Sequence, residues 1–105
     1  MGTVNKEGPS YRASAILRQL ARETEDNAIS IVIRLIDSRL QYFRNGEGGS
    51  MEGEATHLSW AWGVMTELRD LAYLGLIPAA VCSQVNDLIQ EAVDHSLEVY
   101  RKYHE

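Results

Sequence analysis

Glu91, His95 and Glu98 stand at i, i+4 and i+7, so a single helix would carry a carboxylate, an imidazole and a second carboxylate in one row. Such a row can hold a divalent ion when another helix supplies the remaining ligands. The same side also carries Gln84, Asp87, Gln90, Asp94 and Arg101. A solvated face with i,i+4 contacts therefore accounts for the row without a metal. Glu54 and His57 stand at i,i+3, the spacing at which helical bundles present metal ligands. That geometry needs two such pairs and two further inward carboxylates, and the chain has one pair. No metal site and no cofactor are expected; Glu91, His95 and Glu98 are the nearest approach to one.

Glu67 and Asp70 form a Glu-x-x-Asp pair, which helical nucleotide pyrophosphohydrolases use with Mg²⁺. Phosphate-bound Mg²⁺ wants several carboxylates, and residues 28–44 offer only Asp37, so the pattern stops there. No Gly-x-Ser-x-Gly elbow is present. Cys82 sits among Ala79, Ala80 and Val81 with no Lys or Arg within ten residues, whereas a reactive thiol needs an electropositive setting. An enzyme is not expected, and a metal-dependent hydrolase ranks last among the functions considered.

The aromatic residues carry more information. Trp60 and Trp62, in Ser-Trp-Ala-Trp-Gly, diverge by about 200° on a helix and cannot share one narrow core. Gly63 follows, at a cost of roughly 1 kcal/mol in helix propensity against Ala, and such a glycine often admits a close neighbour. Tryptophans are enriched where proteins meet. The residues expected at an interface or a small-molecule pocket are Trp60, Trp62, Met65, Tyr73, Tyr100, Ile31, Leu35 and Tyr42.

Helices must position these groups. From Ser10, the residues Ile16, Leu17, Leu20 and Ala21 fall on one side. Glu23 to Asn27 make a polar junction with an N-cap at Thr24 or Asp26, or else the solvated middle of one fused helix. Over residues 28–44, Ile29, Ile31, Ile33 and Leu35 alternate as in a strand. Yet Ile29, Val32, Ile33, Ile36, Leu40 and Phe43 fill a helical arc of about 100°, and only a helix explains the whole length. Ile31, Leu35 and Tyr42 make a second stripe. Over residues 55–74 the central stripe is Leu58, Ala61, Met65, Leu68 and Ala72, widened by Trp60, Val64 and Leu71 on one side and Trp62 and Tyr73 on the other. Gly75 suits a left-handed C′ position, with Leu76 packing back near Leu71 and Pro78 opening the next helix. That helix, residues 78–103, lines up Val81, Val85, Leu88, Ala92, Val99 and Tyr103.

The fold class expected is all-α, a four-helix antiparallel bundle with helices near 10–23, 27–44, 55–74 and 78–103. Residues 1–9 read as a disordered tail, and 10–105 as one helical domain. Asn45 to Gly53 holds four of the eight glycines and reads as a flexible loop; its Glu47 and Glu52 would repel a phosphate.

The 105 residues carry net charge −5, pI near 5.1. Residues 1–45 hold seven basic and five acidic residues, and residues 46–105 three and ten, so +2 is followed by −7. An acidic domain is a poor match for a nucleic-acid backbone; basic early helices lying against acidic late ones are the simpler reading. No apolar run reaches the ~20 residues of a membrane span. A single cysteine gives no intrachain disulfide and fits a reducing cytoplasm. The apolar width of helices two and three exceeds what one small core needs, which points to a homodimer. The function expected is that of a non-enzymatic interaction, adaptor or regulatory protein, partnered by itself or by another protein. A bundle binding a small molecule in an aromatic-lined pocket is the alternative.

Overall fold

A computed structural model describes residues 8–46 and 54–104. They form four helices and, among the described residues, no strand: α1 (Pro9–Glu23), α2 (Asn27–Gly46), α3 (Glu54–Tyr73) and α4 (Ala79–His104).

Each boundary has a local cause. Pro9 opens α1, where its missing N–H costs nothing. At the other end the Thr24 hydroxyl donates to the Leu20 carbonyl at 2.6 Å, and the extended backbone at Thr24 ends the helix. The polar junction is thus a break, and α1 and α2 are separate helices. Asp26 caps α2: its carboxylate accepts from the Ile29 N–H at 3.1 Å and its carbonyl from the Ser30 N–H at 2.9 Å. Alternation in residues 29–35 does not produce a strand. Asn45 and Gly46, expected in the loop, continue α2; the rest of that segment, and residues 1–7, lie outside the described residues. Pro9, expected in the tail, is helical because its fixed φ fits a first turn.

At the end of α3, Gly75 takes φ +75°. Its N–H reaches the Ala72 carbonyl at 3.0 Å, and the Leu76 N–H reaches Leu71 at 2.9 Å. This 5→2 and 6→1 pair is a Schellman turn, and only glycine enters that backbone region cheaply. Pro78 sits one residue ahead of α4 and accepts from the Cys82 N–H at 3.1 Å.

α1 packs on α2 and α4, and α3 packs on the same two helices, so the helices close a ring around one core. Leu17, Ile33, Ile36, Leu40, Phe43, Val64, Leu68, Val85, Ile89 and Val93 are fully or almost fully buried there. α4 is turned slightly from the line its own pattern suggests: Cys82, Val85, Ile89, Ala92 and Val93 face inward, while Val81 and Leu88 are half-buried. Val32 is exposed instead of joining the α2 core stripe.

Polar groups also enter the interior. Asp37 is 5% exposed and bridges α2 to α1. Its carboxylate accepts from the Ser14 hydroxyl, from Arg18 Nε at 2.9 Å and from Gln41 Nε2 at 3.3 Å. Nine residues from its partner along the chain, the buried Ser30 hydroxyl donates to the Ala21 carbonyl at 2.8 Å. Small serines at Ser10 and Ser14 let α1 lie close, and the hydrogen bonds offset the desolvation of the polar atoms.

Candidate interaction surface

The exposed apolar residues gather on α2 and α3. Ile31, Leu35 and Tyr42 on α2 are each more than half exposed. At 100° per residue they occupy one stripe on the side opposite Ile33, Ile36 and Leu40. On α3, Trp60 is partly exposed and faces α2. The Tyr42 and Trp60 rings stack with centroids 5.1 Å apart and planes 27° apart, so the α2 stripe continues onto α3. Beyond them Arg39 pairs with Glu67 across the same two helices. Leu74, 66% exposed, follows on the α3 side of the seam.

Trp60, Arg39 and Glu67 border an open groove of about 460 Å³, with Ser59, Gly63 and Val64 along it. Among the described residues, nothing beyond α3's own neighbouring backbone lies within 4 Å of where a Gly63 side chain would begin.

Trp62 lies half-exposed on the other flank of α3, as the 200° divergence requires. Tyr73 is almost wholly exposed at the end of the helix, and Met65 is buried in the core. Of the residues expected at an interface or pocket, Trp60, Trp62, Met65 and Tyr73 are therefore not gathered on one face. Met65 fills the interior because it lies between Ala61 and Leu68 on the inward stripe. The Tyr100 side chain lies outside the described residues, as do those of Glu54, His57 and His104.

Glu91, His95 and Glu98 are all exposed on α4, and Glu91 pairs with Arg12 of α1 at 3.6 Å. Among the described residues no three His, Cys, Asp or Glu side chains converge as a metal-binding group. Glu67 is taken up by Arg39, and Asp70 points outward on α3. Basic early helices do meet acidic late ones, through Arg12–Glu91 and Arg39–Glu67. These pairs are partly solvated and contribute little stability individually.

Cys82 is buried. Burial pushes its thiol above the ordinary range, and Arg69 on α3 pulls it partly back. Asn86 donates to the Met65 carbonyl at 3.3 Å, while its buried Oδ1 has no partner among the described residues. No described helix is long and apolar enough to cross a membrane.

Sequence reasoning missed the Ser14–Asp37–Arg18 cluster. Its signal was present: Asp37 follows Ile33 by four residues and Ser14 precedes Leu17 by three, so both share the inward stripes. No family model, curated protein or solved structure matches this chain.

Proposed function

We propose that the protein is a non-enzymatic helical interaction module, an adaptor or regulator that works as a homodimer through the α2–α3 face. The observation that carries this reading is the Tyr42–Trp60 stack set within an exposed apolar stripe of Ile31, Leu35 and Leu74. Exposing that much aliphatic and aromatic surface is unfavourable in water, at about 25 cal/mol per Å². Apolar side chains gathered on one face mark an interaction site more often than single scattered ones do. The ring of packed helices, with Ser14 opposite Asp37 and Ala21 opposite Ser30, supports an antiparallel up-and-down bundle as the scaffold. The lone buried cysteine supports a reducing, cytoplasmic setting.

Sedimentation equilibrium and native mass spectrometry at micromolar concentration test the reading. A dimer is expected, and Leu35→Ala with Trp60→Ala should give a helical monomer. A wild-type chain that stays monomeric across that range would overturn it.

A second reading draws on the groove beside Trp60, which is large enough for a small planar ligand. Its openness favours the protein partner, since ligand sites enclose most of what they bind. Tryptophan emission that shifts with a metabolite at equimolar concentration would favour the ligand instead.

A further inference from the structure

We infer that the second copy docks with its α2 on α3 of the first, about a two-fold axis parallel to the helices, and that Arg34 meets the partner's Asp70 on both flanks of the interface. This rests on the dimer reading above and specifies its geometry.

Two charges on the α2–α3 face, Arg34 and Asp70, are exposed and stand without an ion-pair partner among the described residues. On α2, Arg34 lies about 60° from Ile31, turned away from the side on which Arg39 reaches α3. On α3, Asp70 lies about 60° from Glu67, turned away from the core side that holds Leu68. Each charge therefore marks the outer edge of the apolar face, one basic and one acidic.

Their heights also agree. Moving down α2 from Tyr42 to Arg39, the contact on α3 climbs from Trp60 to Glu67. Continued along both helices, this places Arg34 level with Asp70. A two-fold axis parallel to the helices keeps every residue at its own height and lays α2 over the partner's α3. The basic edge of one copy then covers the acidic edge of the other, twice. Ile31 comes level with the partner's Leu74, and Tyr42 with the partner's Gly63, where no side chain obstructs the ring.

A two-fold axis across the helices would instead lay α2 on α2 and α3 on α3. It would set Arg34 edges together and Asp70 edges together, and like charges at an interface are disfavoured.

Charge reversal separates the outcomes. In low salt, Arg34→Asp and Asp70→Arg should each weaken dimerisation by roughly tenfold, while the double variant returns to within about threefold of wild type. Both substitutions are on the surface, and circular dichroism should show unchanged helicity. As a second readout, Arg34→Cys with Asp70→Cys in a Cys82→Ala background should give a covalent dimer on mild oxidation. A wild-type dimer whose affinity ignores both reversals, or is not rescued by the double, overturns this geometry and leaves the dimer standing. A monomeric wild type removes both.

Discussion

Tyr42 and Trp60 stack across α2 and α3 at a centroid separation of 5.1 Å while both remain open to solvent. A stacked aromatic pair contributes about 0.5–1.5 kcal/mol beyond its area burial. Tyr42→Ala should therefore destabilise the monomer by about 1 kcal/mol and shift Trp60 emission to longer wavelength. The measurement is fluorescence-monitored urea unfolding in a Trp62→Phe background, which leaves Trp60 as the sole indole. An unchanged emission maximum would show that the stack is not maintained in solution.

Asp37 gives a larger effect. Removing a buried carboxylate that accepts from Ser14, Arg18 and Gln41 leaves a buried hydroxyl unpaired. Asp37→Ala is expected to cost about 2–3 kcal/mol, since hydrogen bonds to charged groups are worth more than neutral ones. Arg18→Ala should cost less, about 1 kcal/mol, because Arg18 is half-exposed and water can replace it. A double-mutant cycle on the two residues should give a coupling of about 1 kcal/mol. Additive effects would deny the bridge.

Gly63 and Gly75 should respond to substitution in opposite directions. Gly75 holds φ +75°, so Gly75→Ala should destabilise by about 1–2 kcal/mol through backbone strain. Gly63 is inside α3 with open space around its missing side chain, so Gly63→Ala should stabilise the monomer by up to about 1 kcal/mol. Thermal unfolding below the dimerisation range reads both. Matching signs at the two sites would contradict the backbone description.

Burial raises the Cys82 pKa above its ordinary value of 9.0, with Arg69 opposing. The folded chain keeps the thiol proton where the unfolded chain loses it, so above pH 9 the unfolded state binds fewer protons. The contribution is intact below that pH and falls away as pH rises through the raised value. Wild type should lose more stability than Cys82→Ala between pH 8 and pH 10.5. Parallel pH profiles in urea unfolding would show that the thiol does not contribute.

Most helix ends were readable because single residues set them: Asp26, Gly75 and Pro78 act within one turn. The inward stripes of α1, α2 and α3 were largely readable for the same reason, since periodicity is local. The rotation of α4 was not. Val81 and Leu88 fit its own apolar pattern as well as Cys82 and Ile89 do, and only packing against α1 and α3 decides between them. The exposed stripe of Ile31, Leu35 and Tyr42 was visible as surplus apolar width. Its junction with Trp60 needed the packing of α2 on α3. Asp37 shows a further limit. A carboxylate on an inward stripe becomes interpretable once the partner 23 residues away, Ser14, is seen beside it.

That same carboxylate bears on how the molecule opens. At 15 residues, α1 is near the length at which an isolated helix is marginal in water. Its departure would strip Asp37 of two of its three donors while baring the Leu17 side of the core. Local opening of α1 is thereby tied to the loss of α2, and the amides of both helices should exchange with deuterium as one cooperative unit rather than from the chain end inward.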